Sequence, residues 1–137
     1  MSVYLDFSYS SFIKQFIVEF LDPPFAPQDL KVVEYNTDYM TLSWKAPEHD
    51  GGSGILGYHV EKRDTFMNMW SHVGKVDKDT LGIRVNGLFE GQSYLFRVAA
   101  ENQCGRGEFV ETVKSVTAKL PFGEASNEYS LYLKSES

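Results

Sequence analysis

Two glycine-rich segments carry residue types that could bind a phosphate group. They are residues 50–54 (Asp-Gly-Gly-Ser-Gly) and residues 105–107 (Gly-Arg-Gly). Neither continues into Gly-Lys-Ser/Thr, and neither opens a predicted helix, the context in which backbone N–H groups converge on a phosphate. We therefore predict that both segments form turns and that the chain binds no nucleotide or other cofactor.

The residues that could ligate a metal or act as nucleophiles are scattered along the chain. His49, His59 and His72 lack the spacing of metal ligands, and Cys104 is the only cysteine, so it has no partner for an intramolecular disulfide. The serines include no Gly-x-Ser-x-Gly elbow. The sequence predicts a non-enzymatic protein with no metal site and no small-molecule substrate.

The charge of the 137-residue chain limits its partners. Thirteen Lys and Arg against nineteen Asp and Glu give a formal net charge of −6, the wrong sign for gripping nucleic acid phosphates. No apolar run approaches the roughly 18 to 20 residues of a membrane span. Residues 1–21 lack the basic start of a signal peptide, and Lys14 interrupts their apolar stretch. We expect a cytoplasmic protein with protein partners, and no membrane partner.

The composition divides the chain into a head (1–21), a middle (22–123) and a tail (124–137). In the head, Phe12, Phe16 and Phe20 repeat every four residues, as in a short amphipathic helix, which Pro23 and Pro24 would end. Two hypotheses for the head stay open: a helix that docks on the domain or on a membrane surface, or a gene-model artefact. The Ser- and Glu-rich tail predicts a flexible segment.

The middle segment has the period-two alternation of β-strands. Met40, Leu42 and Trp44 alternate with polar residues, and three further sets follow: Leu56, Tyr58, Val60; Leu81, Ile83, Val85; and Tyr94, Phe96, Val98, Ala100. Three more strands are predicted around 30–34, 70–76 and 109–117, with turns at 48–54, 86–87 and 105–108. Seven short strands without helix-length connections predict an all-β, antiparallel, immunoglobulin-like β-sandwich.

Several matches in the right order give the middle segment a family resemblance. They are the lead-in Asp22-Pro23-Pro24-Phe25-Ala26-Pro27, Leu42-Ser43-Trp44, Gly57-Tyr58-His59-Val60-Glu61, Trp70, Gly91, Tyr94, Phe96-Arg97-Val98, Asn102, Gly105 and Val116-Thr117-Ala118. The segment resembles a fibronectin type III domain, most closely those of the titin and twitchin family of giant muscle proteins. The resemblance covers about three quarters of the chain.

The predicted structural core consists of inward-facing strand residues and the residues around one corner. Tyr94, six residues after Leu88, resembles a tyrosine corner whose hydroxyl bonds to nearby backbone. Trp44 should fill the space between the sheets. The predicted core residues are Trp44, Tyr58, Leu88, Tyr94, Phe96 and Val98.

The most apolar stretch outside the predicted core is Phe66, Met67, Met69 and Trp70. Two interpretations stay open. Trp70 could pack on its own sheet while the others cover an edge, or the four could form a protein-contact patch, because aromatic residues and Met are enriched in interfaces.

The resemblance implies a structural and protein-binding module of a sarcomeric array that bears load and contacts the thick filament, with myosin as a partner. The alternative is a fragment of an adhesion or signalling receptor ectodomain. Some extracellular members of the family carry an Arg-Gly-Asp attachment tripeptide in the loop where this chain has Arg106-Gly107-Glu108. We interpret this tripeptide as part of a glycine-permitted hairpin.

Overall fold

The computed structural model describes residues 21–121, in which every regular element is a β-strand. The predicted head helix, except Leu21, and the tail lie outside the described residues. The strands are β1 (Gln28–Tyr35), β2 (Met40–Lys45), β3 (Gly57–Asp64), β4 (Ser71–Asp77), β5 (Gly82–Val85), β6 (Ser93–Asn102), β7 (Gly105–Glu111) and β8 (Val116–Thr117). The described range contains no helix able to span a membrane.

The strands form two antiparallel sheets that pack face to face, which confirms the predicted all-β sandwich. One sheet has the order β1-β2-β5, and the other has the order β4-β3-β6-β7. β7 pairs with residues 97–102 of β6, and β8 pairs with Ser93 and Tyr94 of the same strand. The second sheet therefore has two short strands along one edge of β6.

Alternation along each central strand sends one set of side chains between the sheets. In β2, Met40, Leu42 and Trp44 are buried while their neighbours are not, which is the pattern that the sequence predicts. Phe96 and Val98 of β6 are fully buried. The apolar area that these side chains remove from water is the main source of stability for a chain without a disulfide.

Trp44 and Tyr58 meet across the core from opposite sheets. Their ring centroids lie 5.6 Å apart with an interplanar angle of 60°, an edge-to-face arrangement. Burial raises the pKa of the Tyr58 hydroxyl. The indole N–H of Trp44 has no hydrogen-bond partner among the described residues, so its contribution comes from packing.

Two leucines that the alternation assigns to inward-facing sets are exposed. Leu56 precedes β3 and is 52% exposed, and Leu81 precedes β5 and is 41% exposed. Both contribute backbone groups instead. The N–H of Leu56 donates to the carbonyl of Glu101, and the carbonyl of Leu81 accepts from the N–H of Trp44. Periodicity alone does not reveal where a strand begins.

The predicted single strand over 109–117 is divided between the end of β7 and β8, so eight strands replace the predicted seven. The pairing with β6 ends at Thr112: its N–H still donates to the carbonyl of Phe96, but the N–H of Phe96 donates to the Thr112 hydroxyl instead of a backbone carbonyl. The following residue, Val113, is exposed. The predicted turn at 105–108 is wrong, since Gly105 already begins β7 and the tight turn is Gln103–Cys104.

The lead-in, residues 22–27, is fastened to the β2–β3 loop in part by one buried amide. The side-chain NH2 of Asn102 donates to the carbonyls of Asp22 (2.8 Å) and Asp50 (2.7 Å). Its Oδ1 accepts the N–H of Cys104 at 2.8 Å. The N–H of Asp22 also donates to the carbonyl of Gly51.

Two glycines allow this close approach. A Cβ at Gly51 would collide with the carbonyl oxygen of Asp22, and a Cβ at Gly107 would collide with that of Pro24. Gly51 also has a φ of 81°, which disfavours other residues. The glycines that suggested phosphate loops in the sequence thus make room for the protein's own backbone.

Candidate protein-binding surfaces

The loop between β3 and β4 projects apolar side chains into solvent. Phe66 is 87% exposed, Met67 60% and Met69 76%. The backbone beneath them is well held. The Asp64 carboxylate accepts the N–H of Phe66 at 2.9 Å, and Arg63 Nη1 donates to the carbonyl of Met67 at 2.9 Å. The side chains are therefore presented to solvent from an ordered turn.

Phe89, on the loop between β5 and β6, extends this apolar surface and is 71% exposed. Together with Met67 and Met69 it lines a groove of about 300 Å³. We call these three residues, together with Phe66, which is on the same loop as Met67 but does not line the groove, the loop patch. Exposed apolar side chains gathered on one surface are a feature of protein-interaction sites.

The tyrosine corner positions Phe89. The N–H of Phe89 donates to the Tyr94 hydroxyl at 2.9 Å, and the N–H of Leu88 donates to the carbonyl of Asp38. Sequence reasoning missed Phe89, which lies 20 residues after Met69. The corner pattern was the available signal, because the backbone partner of the Tyr94 hydroxyl, which is Phe89, must lie beside Tyr94.

Trp70 lies apart from the groove, on the outer face of the second sheet. Two guanidinium groups lie over its ring: the Cζ atom of Arg97 is 4.4 Å from the ring centroid and that of Arg63 is 5.4 Å. Both distances are within the range of cation–π interactions. The structure thus places Met67 and Met69 along one groove and puts Trp70 in a different cluster.

The stack continues across the sheet. The Cζ atom of Arg97 lies 4.1 Å from the ring centroid of Phe109, and that of Arg106 lies 4.7 Å from the same centroid. Glu61 fixes the central arginine, with its Oε1 2.6 Å from Nη2 and 2.7 Å from Nε of Arg97. We call Arg63, Trp70, Arg97, Phe109 and Arg106 the arginine stack.

The predicted hairpin at Arg106-Gly107-Glu108 is wrong. All three residues lie on β7, and Gly107 packs against the lead-in. Arg106 belongs to the arginine stack. The position of the tripeptide on a strand differs from that of an attachment sequence at a hairpin tip.

A second polar cluster on the same sheet joins β4, β3 and β6. The Glu101 carboxylate lies 2.6 Å from Lys75 Nζ and 2.7 Å from His59 Nε2. The hydrogen bond from Lys75, followed by that from His59, lowers the pKa of Glu101. Within residues 21–121, no group of three or more His, Cys, Asp or Glu side chains is arranged to hold a metal ion.

We expect Glu101 to make the free energy of unfolding depend on pH in the acidic range. A pKa that is lower in the folded state stabilises the fold above the pKa of the unfolded glutamate, about 4.3, and this stabilisation is lost as pH falls through the lowered value. The free energy of unfolding of the wild type should therefore approach that of Glu101→Gln between about pH 5 and pH 3. Urea unfolding at several pH values measures this, and a pH-independent difference would contradict it.

The six predicted core residues are all buried: Trp44, Tyr58, Leu88, Tyr94, Phe96 and Val98. Asn102 and Thr112 are the buried polar residues among those described. Cys104 is exposed at the turn after β6. The core residues that stabilise the domain are thus distinct from the residues of the loop patch and the arginine stack.

Comparisons with known proteins agree with this architecture. The profile of the fibronectin type III domain matches residues 25–116. The chain is 33% identical over 114 residues to titin of Drosophila melanogaster, covering 83% of this chain and 1% of titin. It is 38% identical over 88 residues to human myomesin-2 and 41% identical over 88 residues to human myosin-binding protein H-like, covering 64% of this chain and 6% and 25% of those proteins.

A solved structure of titin domains is similar as well. Its TM-score is 0.68 at 35% identity, covering 72% of this chain and 33% of that one. The relatives include muscle proteins, such as the M-protein of chicken striated muscle. The chain spans a quarter or less of the length of the three relatives named above.

Proposed function

The chain belongs to the fibronectin type III domain family, and on this basis we propose that it is a non-catalytic, load-bearing and protein-binding module of a titin- or twitchin-like protein in the sarcomere. Its domain is residues 22–123, and its partner is a thick-filament protein, with myosin as the first candidate. Similarity to titin, myomesin-2 and a protein named for myosin binding supports this proposal.

The observation that carries the binding role is the loop patch. Phe66, Met69 and Phe89 are each more than 70% exposed, although they are large apolar residues. Met adapts its shape to irregular partners, and aromatic side chains contribute strongly to interface cores. A surface of this composition, held on ordered loops, suits a protein partner.

The lead-in supports the load-bearing role. Tension on the chain before Asp22 would act on the hydrogen bonds that Asn102 and Gly51 make to it. At the other end, the Tyr35 hydroxyl donates to the carbonyl of Pro121 at 3.2 Å. Both ends of the domain are thus bonded to residues distant in sequence.

Cosedimentation of the full chain with purified myosin filaments tests the partner. We expect the wild type to sediment with the filaments, and Phe66→Ser/Met69→Ser/Phe89→Ser to bind at least about tenfold more weakly, as expected when interface anchors are lost. The three side chains are exposed, so the variant should unfold at nearly the wild-type temperature.

Val113→Ser is the matched control, because Val113 is 93% exposed and lies outside the loop patch. It should sediment as the wild type does. Failure of the wild type to bind myosin filaments would exclude myosin as the partner, and equal binding by the triple variant would exclude the loop patch.

A further inference from the structure

Among the described residues, the arginines at the two ends of the arginine stack have no carboxylate partner. The described residues contain four arginines, and all four lie over aromatic rings. Arg84 pairs with Glu34 at 3.0 Å and Arg97 pairs with Glu61. Within residues 21–121, Arg63 and Arg106 form no ion pair. These two are the arginines that end the stack.

The aromatic rings of the stack position Arg63 and Arg106 while leaving N–H groups of both guanidinium groups free to bind a partner. A guanidinium group that lies over a ring keeps its in-plane N–H groups available, and it has five of them. Arg63 uses Nη1 for the carbonyl of Met67, while Arg106 is exposed on the edge strand β7. Side chains that are already positioned lose less entropy when they bind a partner.

The strand register gives the distance that a ligand must span. Arg63 is opposite Leu95 of β6, and Arg106 is opposite Glu101 of the same strand. These β6 positions are six residues apart, or about 20 Å at about 3.3 Å per residue, and β3 and β7 lie on opposite sides of β6, so the backbones of the two arginines are also offset by about 10 Å across the sheet. An extended peptide that crosses β6 obliquely would reach both arginines with acidic residues about six positions apart.

The charges of this face favour an acidic partner over a basic one. Lys75 and Arg97 are neutralised by Glu101 and Glu61. Glu111 is opposite Arg97 in the β6–β7 register and adds one negative charge near the middle of the stack. Two unpaired guanidinium groups remain at the ends, on a middle segment whose 11 Lys and Arg and 14 Asp and Glu give it a net charge of −3.

We propose that the outer face of the β4-β3-β6-β7 sheet binds an extended acidic peptide segment of a partner protein, with Arg63 and Arg106 each taking one carboxylate. This surface is distinct from the loop patch and independent of the thick-filament assignment. The affinity depends on charge-assisted hydrogen bonds, so it falls as salt screens them.

Titration of the ¹⁵N-labelled full chain, followed by NMR, tests the proposal. The probe is a 13-residue peptide of alternating Glu and Thr, and its control has Gln in place of Glu. We expect the Glu peptide to shift the Nε–H signals of Arg63 and Arg106 and the indole signal of Trp70. The Kd should rise at least about threefold between 50 and 300 mM salt.

Two variants and a matched control locate the site. Arg63→Gln and Arg106→Gln should each weaken binding about threefold, and the double variant about tenfold. Arg84→Gln should bind as the wild type does, because Arg84 also lies over a ring, that of Tyr39, but on β5 of the other sheet. Arg106→Gln keeps the test valid if Arg63→Gln disturbs the loop that Arg63 supports.

Three results would overturn the proposal. The first is equal binding of the Gln and Glu peptides, which includes no binding of either. The second is a loss of affinity in Arg84→Gln equal to that in the Arg63 and Arg106 variants. The third is tighter binding to phosphatidylserine vesicles, which would then displace the peptide. The last result would identify the face as an anionic-lipid surface instead.

Discussion

Trp44→Ala is expected to lower the free energy of unfolding by about 3–5 kcal/mol, the largest single effect in this domain. Trp44 is buried between the sheets and packs edge-to-face on Tyr58. Truncation removes the indole from the core and leaves a cavity that two hydrogen-bonded sheets cannot close. Urea unfolding followed by far-UV circular dichroism measures the loss without using tryptophan fluorescence.

Trp44→Phe separates packing from hydrogen bonding. Because the indole N–H has no partner among the described residues, its removal should cost little, and the phenyl ring retains the contact with Tyr58. We expect a smaller loss than in Trp44→Ala. A loss below about 1 kcal/mol in the alanine variant would contradict the central packing role.

Asn102→Ala is expected to lower the free energy of unfolding by about 2–4 kcal/mol. Its side chain forms hydrogen bonds with two carbonyls and one N–H. Because Asn102 is only 2% exposed, the substitution removes these hydrogen bonds at a buried site. Urea unfolding gives the size of the effect. Gln103→Ala, at the exposed neighbouring position, is the control and should differ little from the wild type.

Asn102→Asp tests the direction of these hydrogen bonds. Aspartate keeps an oxygen that can accept the N–H of Cys104, but its second oxygen faces the carbonyls of Asp22 and Asp50. At neutral pH we expect at least as large a loss as in the alanine variant. Wild-type stability in Asn102→Asp would show that the amide does not hold the lead-in.

Sequence alone predicted the sandwich because alternation and turn residues are local signals. Met40, Leu42 and Trp44 are buried as their alternation predicts. The family resemblance to titin-like fibronectin type III domains is confirmed by the profile match and by the similar titin structure. The break at Thr112 was missed, because it depends on hydrogen bonds to Phe96, 16 residues earlier.

The surface chemistry was less predictable for the same reason. Phe89 joins Met67 and Met69 through the tyrosine corner, and the arginine stack draws on four separate parts of the chain. Trp70 is close to Phe66 in sequence, whereas the structure places its ring against Arg63 and Arg97. Such clusters follow from strand register, which no single segment encodes.

The fastened lead-in also bears on how such a domain could be excised or recombined. A fragment that began at Phe25, where the family profile starts, would lose the carbonyl of Asp22 that Asn102 binds and the Pro24 backbone that covers Gly107. Pro24, which looks like part of a spacer, is buried against Gly107 and belongs to the module that follows it. A genetic junction that preserves this unit must therefore fall before Asp22.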